Sequence, residues 1–119
     1  MANRAGARTG ILQGTLDLMV LQTLATMGPR HGYALGARIE QVSRGAIQVN
    51  MGTLYPALMR LEQRRLIRGE WATTDNNRRA RFYAITAAGQ RELGAERAEW
   101  DRMVDIIQAL AQDPEPPAR

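Results

Sequence analysis

Arginine dominates the chemistry available to this 119-residue chain. All 16 basic residues are arginines, and they outnumber the 12 acidic residues. Guanidinium groups favour planar, bidentate contacts with phosphates or base edges over the diffuse attraction of ammonium groups. The same excess of arginine also fits a coding bias toward GC-rich codons. The composition therefore agrees with a nucleic-acid partner without requiring one.

The distribution of charge along the chain is more informative. Between residues 60 and 81, seven arginines stand against three acidic residues, whereas residues 86–119 carry four arginines and seven acidic residues. A chain that is basic up to residue 81 and acidic afterwards favours a surface for a polyanion and a separate element with another role.

Catalytic chemistry lacks the residues it would need. The chain has one histidine (His31), one serine (Ser43) and no cysteine. The histidine and the serine lie at opposite ends of one short predicted helix, too far apart to act as base and nucleophile. No cluster of metal ligands and no phosphate-binding glycine loop is present. We expect no enzymatic activity, no metal and no cofactor, and we predict that His31 begins the helix.

The longest uncharged apolar stretch, Leu18 to Pro29, is far shorter than the roughly 20 residues that span a bilayer. No signal-peptide cleavage pattern follows it. We therefore expect a cytoplasmic protein.

Helical patterns fill the first half of the chain. Residues 1–13 show no period and are predicted to be a flexible basic arm. A first helix is predicted from Thr15 to about Met27, with Asp17 in its first turn, and it is apolar nearly all round. Because a small domain cannot cover both faces of such a helix, the spare face, with Leu18 and Leu21, is expected to meet another chain.

Two more helices are predicted to follow. One runs from His31 to about Ser43 and turns three apolar residues inward: Leu35, Ile39 and Val42. The next is capped by Asn50 and ends near Arg65, although Pro56 allows a start as late as Gly52 or Thr53. Its inward stripe is Leu54, Leu58 and Leu61. Its outward stripe is small, polar and basic: Thr53, Ala57, Arg60 and Arg64.

A hairpin with a basic tip is predicted next. Segments of strand character at Ile67–Thr74 and Phe82–Ile85 flank a turn at residues 75–77, and three arginines lie just after the turn: Arg78, Arg79 and Arg81. Trp71 is expected to be buried against the third helix.

The last element is a long helix, capped by Thr86 and running from about Ala87 to Gln112. At about 1.5 Å per residue it is some 39 Å long, so it must project from a domain whose radius of gyration is about 13 to 14 Å. Heptad-spaced apolar residues indicate a dimerisation helix. The dimer interface is predicted to comprise Leu18, Leu21, Leu93, Trp100, Met103, Ile107 and Leu110. Residues 113–119, with three prolines, are predicted to be a disordered tail.

Three helices followed by a two-stranded hairpin are the element order of a winged helix-turn-helix. The fold class is thus mainly α with a small β-hairpin: a winged helix-turn-helix over residues 14–85 and a dimerisation helix over 86–112. In such modules the third helix enters the major groove and the wing contacts the backbone or the minor groove.

Several motifs also resemble one family. They are Gly14-Thr-Leu-Asp-Leu-Met-Val-Leu, His31-Gly-Tyr, Gly52-Thr-Leu-Tyr-Pro-Ala-Leu-Met-Arg-Leu-Glu62, and the arginine-rich wing that runs into Phe82-Tyr-Ala-Ile-Thr86 and Gly89. Over about residues 11–112 the chain resembles the PadR family of bacterial transcriptional regulators, in its smaller subgroup with a single C-terminal helix. The resemblance implies a homodimer in which the C-terminal helix packs on the partner's first helix. It also implies a repressor, in some members released by a small aromatic or drug-like effector. The wing tip departs from the lysine- and glycine-rich tips common in that family.

The outward stripe and the wing supply the predicted DNA contacts. Asn50, Thr53 and Ala57 are expected to approach base edges. Tyr55, Arg60 and Arg64 are expected to position the helix, with core packing as the alternative for Tyr55. The wing arginines 78, 79 and 81 are expected to neutralise phosphates or to enter the minor groove. Two-fold symmetry predicts a pseudo-palindromic double-stranded operator.

Two alternatives stay open at this point. Trp100, with Met103, could line an aromatic effector site at the dimer seam, or it could be a packing residue of that seam, which we prefer. The whole chain could instead be a winged-helix adaptor that binds protein and not DNA. The basic segment 60–81 argues against the adaptor, because such a protein has no need of charge focused on the third helix and the wing.

Overall fold

The computed structural model of the chain describes residues 2–112, with side chains from residue 14 onward. In this part of the chain four helices accompany a small antiparallel sheet. The helices are α1 (Ala2–Met27), α2 (Gly32–Val42), α3 (Met51–Gln63) and α4 (Ala87–Gln112). The strands are β1 (Arg30–His31), β2 (Ile67–Thr73) and β3 (Arg79–Ile85). The predicted fold class, mainly helical with a β-hairpin, is confirmed. The tail at 113–119 lies outside the described residues.

Helix α1 is longer than the sequence predicted. It begins at Ala2 and not at Thr15, so the backbone of residues 2–13 is helical where an irregular arm was expected. The alanines, arginines and leucine of this segment are good helix formers, and glycines such as Gly6 and Gly10 cost about 1 kcal/mol each without ending a helix. Asp17 therefore lies in the middle of α1, where its carboxylate can reach another element.

The start of α2 joins the helices to the sheet. His31 caps α2, its Nδ1 accepting a hydrogen bond from the Ala34 backbone at 3.3 Å, as predicted for a helix-start residue. Its ring also meets Phe82 edge to face, with 5.3 Å between the ring centres. The backbone of Arg30 and His31 pairs with Tyr83 and Phe82 and adds strand β1 to the hairpin. The sequence did not predict this strand, because two residues are too few to show a period.

Strand β3 lies in the centre of the sheet, between β1 and β2. The β2–β3 register pairs Ile67 with Ile85 at one end and Thr73 with Arg79 at the other, as expected for a hairpin. Asn77 takes a positive φ of 64° in the connecting turn, a conformation that asparagine tolerates better than most residues. The turn thereby places residues 75–78 at the far end of the hairpin.

The core lies where α1, α2 and α3 meet the base of the hairpin. The inward stripe predicted for α3 is confirmed, since Leu54, Leu58 and Leu61 are each at most 1% exposed. Two other predictions of burial were wrong. Val42 is 64% exposed because α2 ends there. Trp71, on the outer half of the hairpin, is 59% exposed and packs against Arg79 of the neighbouring strand.

Helix α4 starts inside the domain and then leaves it. Thr86 caps the helix as predicted, its Oγ1 accepting from the Gly89 backbone at 3.0 Å. Gly89 and Leu93 are buried, whereas from Gly94 onward the helix is exposed except at the half-buried Val104. Within residues 2–112, no helix is both long enough and apolar enough to cross a membrane.

The proximal end of α4 packs on α1 of the same chain. This contact buries Leu21 to 2% and Leu93 to 6% exposure, so these two residues belong to the protomer's own core. Their predicted place in a dimer interface was wrong for that reason. The remaining predicted interface residues of α4 are exposed in the single chain: Trp100, Met103, Ile107 and Leu110.

Candidate nucleic-acid interface

Asn50 fixes the start of α3. Its side-chain Oδ1 accepts from the Thr53 backbone at 2.9 Å and from the Thr53 hydroxyl at 3.2 Å. Its carbonyl oxygen accepts from the Leu54 backbone at 3.0 Å. These bonds hold the first turn in place even though Pro56, beyond that turn, cannot donate to the helix. The predicted cap is confirmed, and both Asn50 and Thr53 lie exposed at this end of the helix.

The exposed side of α3 differs in phase from the predicted stripe. Ala57 was expected to face outward, but it is fully buried, because it lies three and four residues from the buried Leu54 and Leu61 on the same side of the helix. It cannot approach a base edge. The side chains that do face solvent include five that we call the reading face: Thr53, Tyr55, Pro56, Met59 and Gln63. Tyr55 is 51% exposed, so its alternative role as a core residue is wrong.

Three residues of this face, Pro56, Met59 and Gln63, were not predicted from the sequence. The signal for them was present in the buried stripe of Leu54, Leu58 and Leu61, whose opposite side a period of 3.6 residues places at 52, 56, 59 and 63. The predicted face was instead rotated toward the cations Arg60 and Arg64, which lie at the edge of the exposed side.

Both of those arginines are paired with carboxylates of other helices. Arg60 donates to Asp17 of α1 at 2.9 Å, and Arg64 donates to Glu92 of α4 at 3.2 Å. The Arg60–Asp17 pair is partly buried, with side-chain exposures of 34% and 21%. These pairs hold α3 between α1 and α4 and neutralise charge that the sequence assigned to DNA contact.

A second carboxyl group crowds the Arg64 pair. Glu96, one turn beyond Glu92 on α4, is mainly exposed, yet partial desolvation raises its pKa and, next, so do its hydrogen bond with Glu92 and the negative charge of that residue. Asp17, Arg64, Glu92 and Glu96 line one small cavity between α1, α3 and α4. Arg64 therefore faces more negative charge than the single partner with which it forms an ion pair.

Arg81 anchors the wing to α3. Its guanidinium donates to the carboxylate of Glu62 on α3, a contact that raises the pKa of Arg81. It lies 5.9 Å from the centre of the Tyr83 ring and packs so closely over Gly69 of β2 that a Cβ there would lie 2.6 Å from Nε. Arg81 is therefore placed to set the angle between hairpin and helix, and its predicted role at phosphates competes with this contact.

The tip of the hairpin carries the more available cations. Arg79 lies over the indole of Trp71, 5.4 Å from the ring centre, and Trp71 is itself largely exposed. The Arg78 backbone donates to the Thr74 hydroxyl at 3.2 Å, and in the described part of the chain its guanidinium has no acidic partner. Arg78 and Arg79 thus project positive charge from the wing, away from the carboxylates that hold the other arginines.

The residues predicted for an effector, Trp100 and Met103, are each more than half exposed in the single chain. Trp100 and Met103 lie on the exposed part of α4. An apolar groove of about 360 Å³ lies elsewhere, between α1 and α2, and includes Met19, Met27 and Ile39. Among the described residues, no group of histidine, aspartate and glutamate side chains could hold a metal ion.

Known proteins share this fold. A solved structure of a PadR family transcriptional regulator from Eggerthella lenta is 28% identical, with a TM-score of 0.75 over 94% of this chain and 96% of that one. A transcriptional regulator from Clostridium thermocellum has the same fold, at 23% identity and a TM-score of 0.76 over 87% of this chain and 96% of that one.

One protein is related to this chain by sequence over most of this chain's length. It is an uncharacterized 37.1 kDa protein in a transposon of Streptomyces fradiae, 41% identical over 80 residues, or 67% of this chain. The matched part is 21% of the relative's length, so the chain spans about a fifth of it.

A match to one protein family covers the elements that form the candidate interface. Residues 20–95 match the model of the transcriptional regulator PadR-like family. This range begins within α1 and ends within α4, so it includes α2, the reading face of α3 and the whole wing. On that match, the chain belongs to the PadR-like family of transcriptional regulators.

Proposed function

We propose that the protein is a sequence-specific, double-stranded DNA-binding repressor that acts as a homodimer. One observation carries the proposal: the reading face of α3 is uncovered, and the wing beside it ends in Arg78 and Arg79. A helix of this kind fits the major groove, and a cationic wing fits the phosphate backbone or the minor groove.

The residues assigned to DNA follow from exposure and pairing. Asn50, Thr53 and Tyr55 contact bases or the backbone near the start of α3, and Arg78 and Arg79 contact phosphates. Arg60, Arg64 and Arg81 act mainly through their carboxylate partners, by holding α3 and the wing in position. Ala57 has no part in the interface, since it is buried.

Exposed apolar side chains on α4 support the dimer. Five such residues lie between 48% and 74% exposed in the single chain: Trp100, Met103, Ile106, Ile107 and Leu110. Large apolar side chains left exposed together at helical spacing are typical of an interface. A second copy related by two-fold symmetry would cover it and would present two reading faces to a pseudo-palindromic operator, with half-sites about 34–36 Å apart.

Effector release, a cytoplasmic location and the domain boundaries at residues 13, 85 and 112 stay predictions. An aromatic ligand at Trp100 and Met103 would need the second protomer to complete a pocket, because these side chains are open to solvent in one chain. Such a ligand would release DNA only through its higher affinity for a dimer spacing that does not fit the operator.

A binding assay with two duplexes tests the proposal. Fluorescence anisotropy would compare the DNA upstream of the protein's own reading frame with a scrambled duplex of equal composition, over a range of salt concentrations. We expect at least about 10³-fold preference for the cognate duplex and a steep loss of affinity with salt. Equal affinities for the two duplexes would contradict sequence-specific binding. Binding of neither would favour the protein-binding adaptor.

A further inference from the structure

We infer that α3 selects its operator through thymine methyl groups, and that Met59 makes the decisive contact. The inference rests on the proposed DNA-binding function and deepens it, by naming the chemical group that the reading face recognises. Met59 was not among the residues that the sequence indicated for DNA contact.

Met59 lies at the centre of the reading face. Met59 is 59% exposed, whereas the three leucines of the same helix are buried. Pro56 and Tyr55, one turn earlier, flank it on the same side. Together they form an uncovered apolar surface on the side of α3 opposite the core.

Apart from the Tyr55 hydroxyl and the Gln63 amide, hydrogen-bond donors are held away from the middle of this surface. The arginines that border it, Arg60 and Arg64, point to carboxylates on α1 and α4. The Thr53 hydroxyl donates to Asn50, so it can only accept a bond from a base while its methyl group stays available for apolar contact. The central part of α3 therefore cannot make the bidentate arginine contact by which guanine is most often read.

The chemistry of the major groove leaves one apolar target. Every base pair presents hydrogen-bonding groups there, but the C5-methyl of thymine is the apolar feature that distinguishes a T·A pair. Methionine and proline carry no donor, so of the groups in the groove only this methyl offers them a favourable contact, and that contact is absent at a C·G pair. The flexible methionine side chain can also adjust its contact to the groove.

Thymine replacement tests the inference directly. The full-length protein would be used to select duplexes from a random library, and each thymine of the selected duplex would then be replaced by deoxyuridine, which lacks only the methyl. We expect the wild-type affinity to fall by about four-fold at one or two positions per half-site, the effect of one methyl-sized contact. The same replacements should leave the affinity of Met59→Ala unchanged.

Two controls separate the methyl contact from other effects. Met59→Leu keeps an apolar side chain of similar size and should keep the sensitivity to deoxyuridine. A 5-methylcytosine·guanine pair at the sensitive position restores a methyl in the groove, so wild-type protein should bind it more tightly than an unmethylated cytosine·guanine pair, and Met59→Ala should not.

Failure of the inference and failure of the proposed function give different results. If a duplex is selected but no deoxyuridine replacement distinguishes wild-type protein from Met59→Ala, the inference is wrong and sequence-specific binding stands. If no duplex is enriched over random DNA, the proposed function is wrong and the inference falls with it.

Discussion

Arg64, at the end of α3, donates to Glu92 of α4 across 3.2 Å, although the two residues are 28 positions apart in the sequence. This ion pair connects α3 to the helix whose exposed end we assign to the dimer. A movement of α4 therefore changes the environment of a cation at the edge of the reading face. The Arg64–Glu92 pair also neutralises part of the positive charge of α3 in the DNA-free protein.

Removal of the Glu92 carboxylate should weaken the hold on the Arg64 guanidinium, which then faces only Glu96 and Asp17 in the same cavity. In Glu92→Gln the amide can still accept a hydrogen bond from Arg64, but the negative charge is gone. We expect tighter binding to all duplexes and a dependence of log K on log salt that is steeper by up to about 0.9, the effect of one added phosphate contact. Stability should change by no more than about 1 kcal/mol, because the pair is only partly buried, with side-chain exposures of 54% for Arg64 and 31% for Glu92.

The matched control for Glu92→Gln is Glu99→Gln. Glu99 lies on the same helix and, among the side chains that the structure describes, forms its ion pair with Arg102, three residues away on α4. The Glu99→Gln variant should leave both the affinity for DNA and its salt dependence unchanged. A salt dependence in Glu92→Gln equal to that of wild-type protein would show that Arg64 stays away from the phosphates.

The wing tip should contribute affinity without sequence preference. In the double variant Arg78→Ala and Arg79→Ala we expect weaker binding to cognate and scrambled duplexes alike. The salt dependence should also become shallower, by about 0.9 for each phosphate that the wing no longer neutralises. Anisotropy titrations over salt would measure this. Arg102→Ala, which removes a guanidinium from α4, is the control. If the slope of log K against log salt in the double variant equals that of wild-type protein, the wing does not contact the DNA phosphates.

Two glycines of α4 give opposite predictions for stability. A Cβ on Gly89 would lie 2.1 Å from the Leu66 carbonyl oxygen and 2.6 Å from Cγ1 of Ile85, so Gly89→Ala must push α4 away from the sheet. We expect a loss of about 2–3 kcal/mol in the free energy of unfolding. Gly94 has open space around it, and Gly94→Ala should gain about 0.5–1 kcal/mol through helix propensity. Urea denaturation of the two variants would measure both; equal stabilities would contradict the close packing of α4 on the sheet.

The exposed end of α4 should be necessary for the dimer. Ile107→Glu places a charge among the apolar side chains of that surface, where burial without a partner is costly. We expect its dimer dissociation constant to rise at least about ten-fold in analytical ultracentrifugation, with unchanged helical content by circular dichroism. Gln108→Glu adds the same charge at the neighbouring exposed position and should remain dimeric. Equal dissociation constants for the two variants would exclude this face from the interface.

Much of the fold could be predicted because its boundaries are set locally. The Asn50 and Thr86 side chains cap α3 and α4 through bonds to backbone groups three residues away, and such signals are visible in the sequence. The leucine stripe of α3 likewise follows from a period of 3.6 residues. The start of α1 was missed because nothing in residues 2–13 ends a helix strongly enough to mark a boundary.

The candidate site was harder to predict because its electrostatics depend on contacts between distant elements. The partners of Arg60 and Arg81 are 43 and 19 residues away in the sequence, so only the packing of the helices and the wing determines which arginines keep a free charge. The predicted outward face of α3 was displaced around the helix axis by about one residue from the face that is exposed. That displacement is enough to exchange the buried Ala57 for the exposed Met59.

Hydroxyl-radical footprinting of the selected duplex would show whether a dimer reads two half-sites through α3. We expect two protected patches on one face of the DNA, related by two-fold symmetry and about 34–36 Å apart, with added protection at the backbone where Arg78 and Arg79 of each wing lie. A single protected patch, or protection no stronger than on random DNA, would contradict this mode of binding.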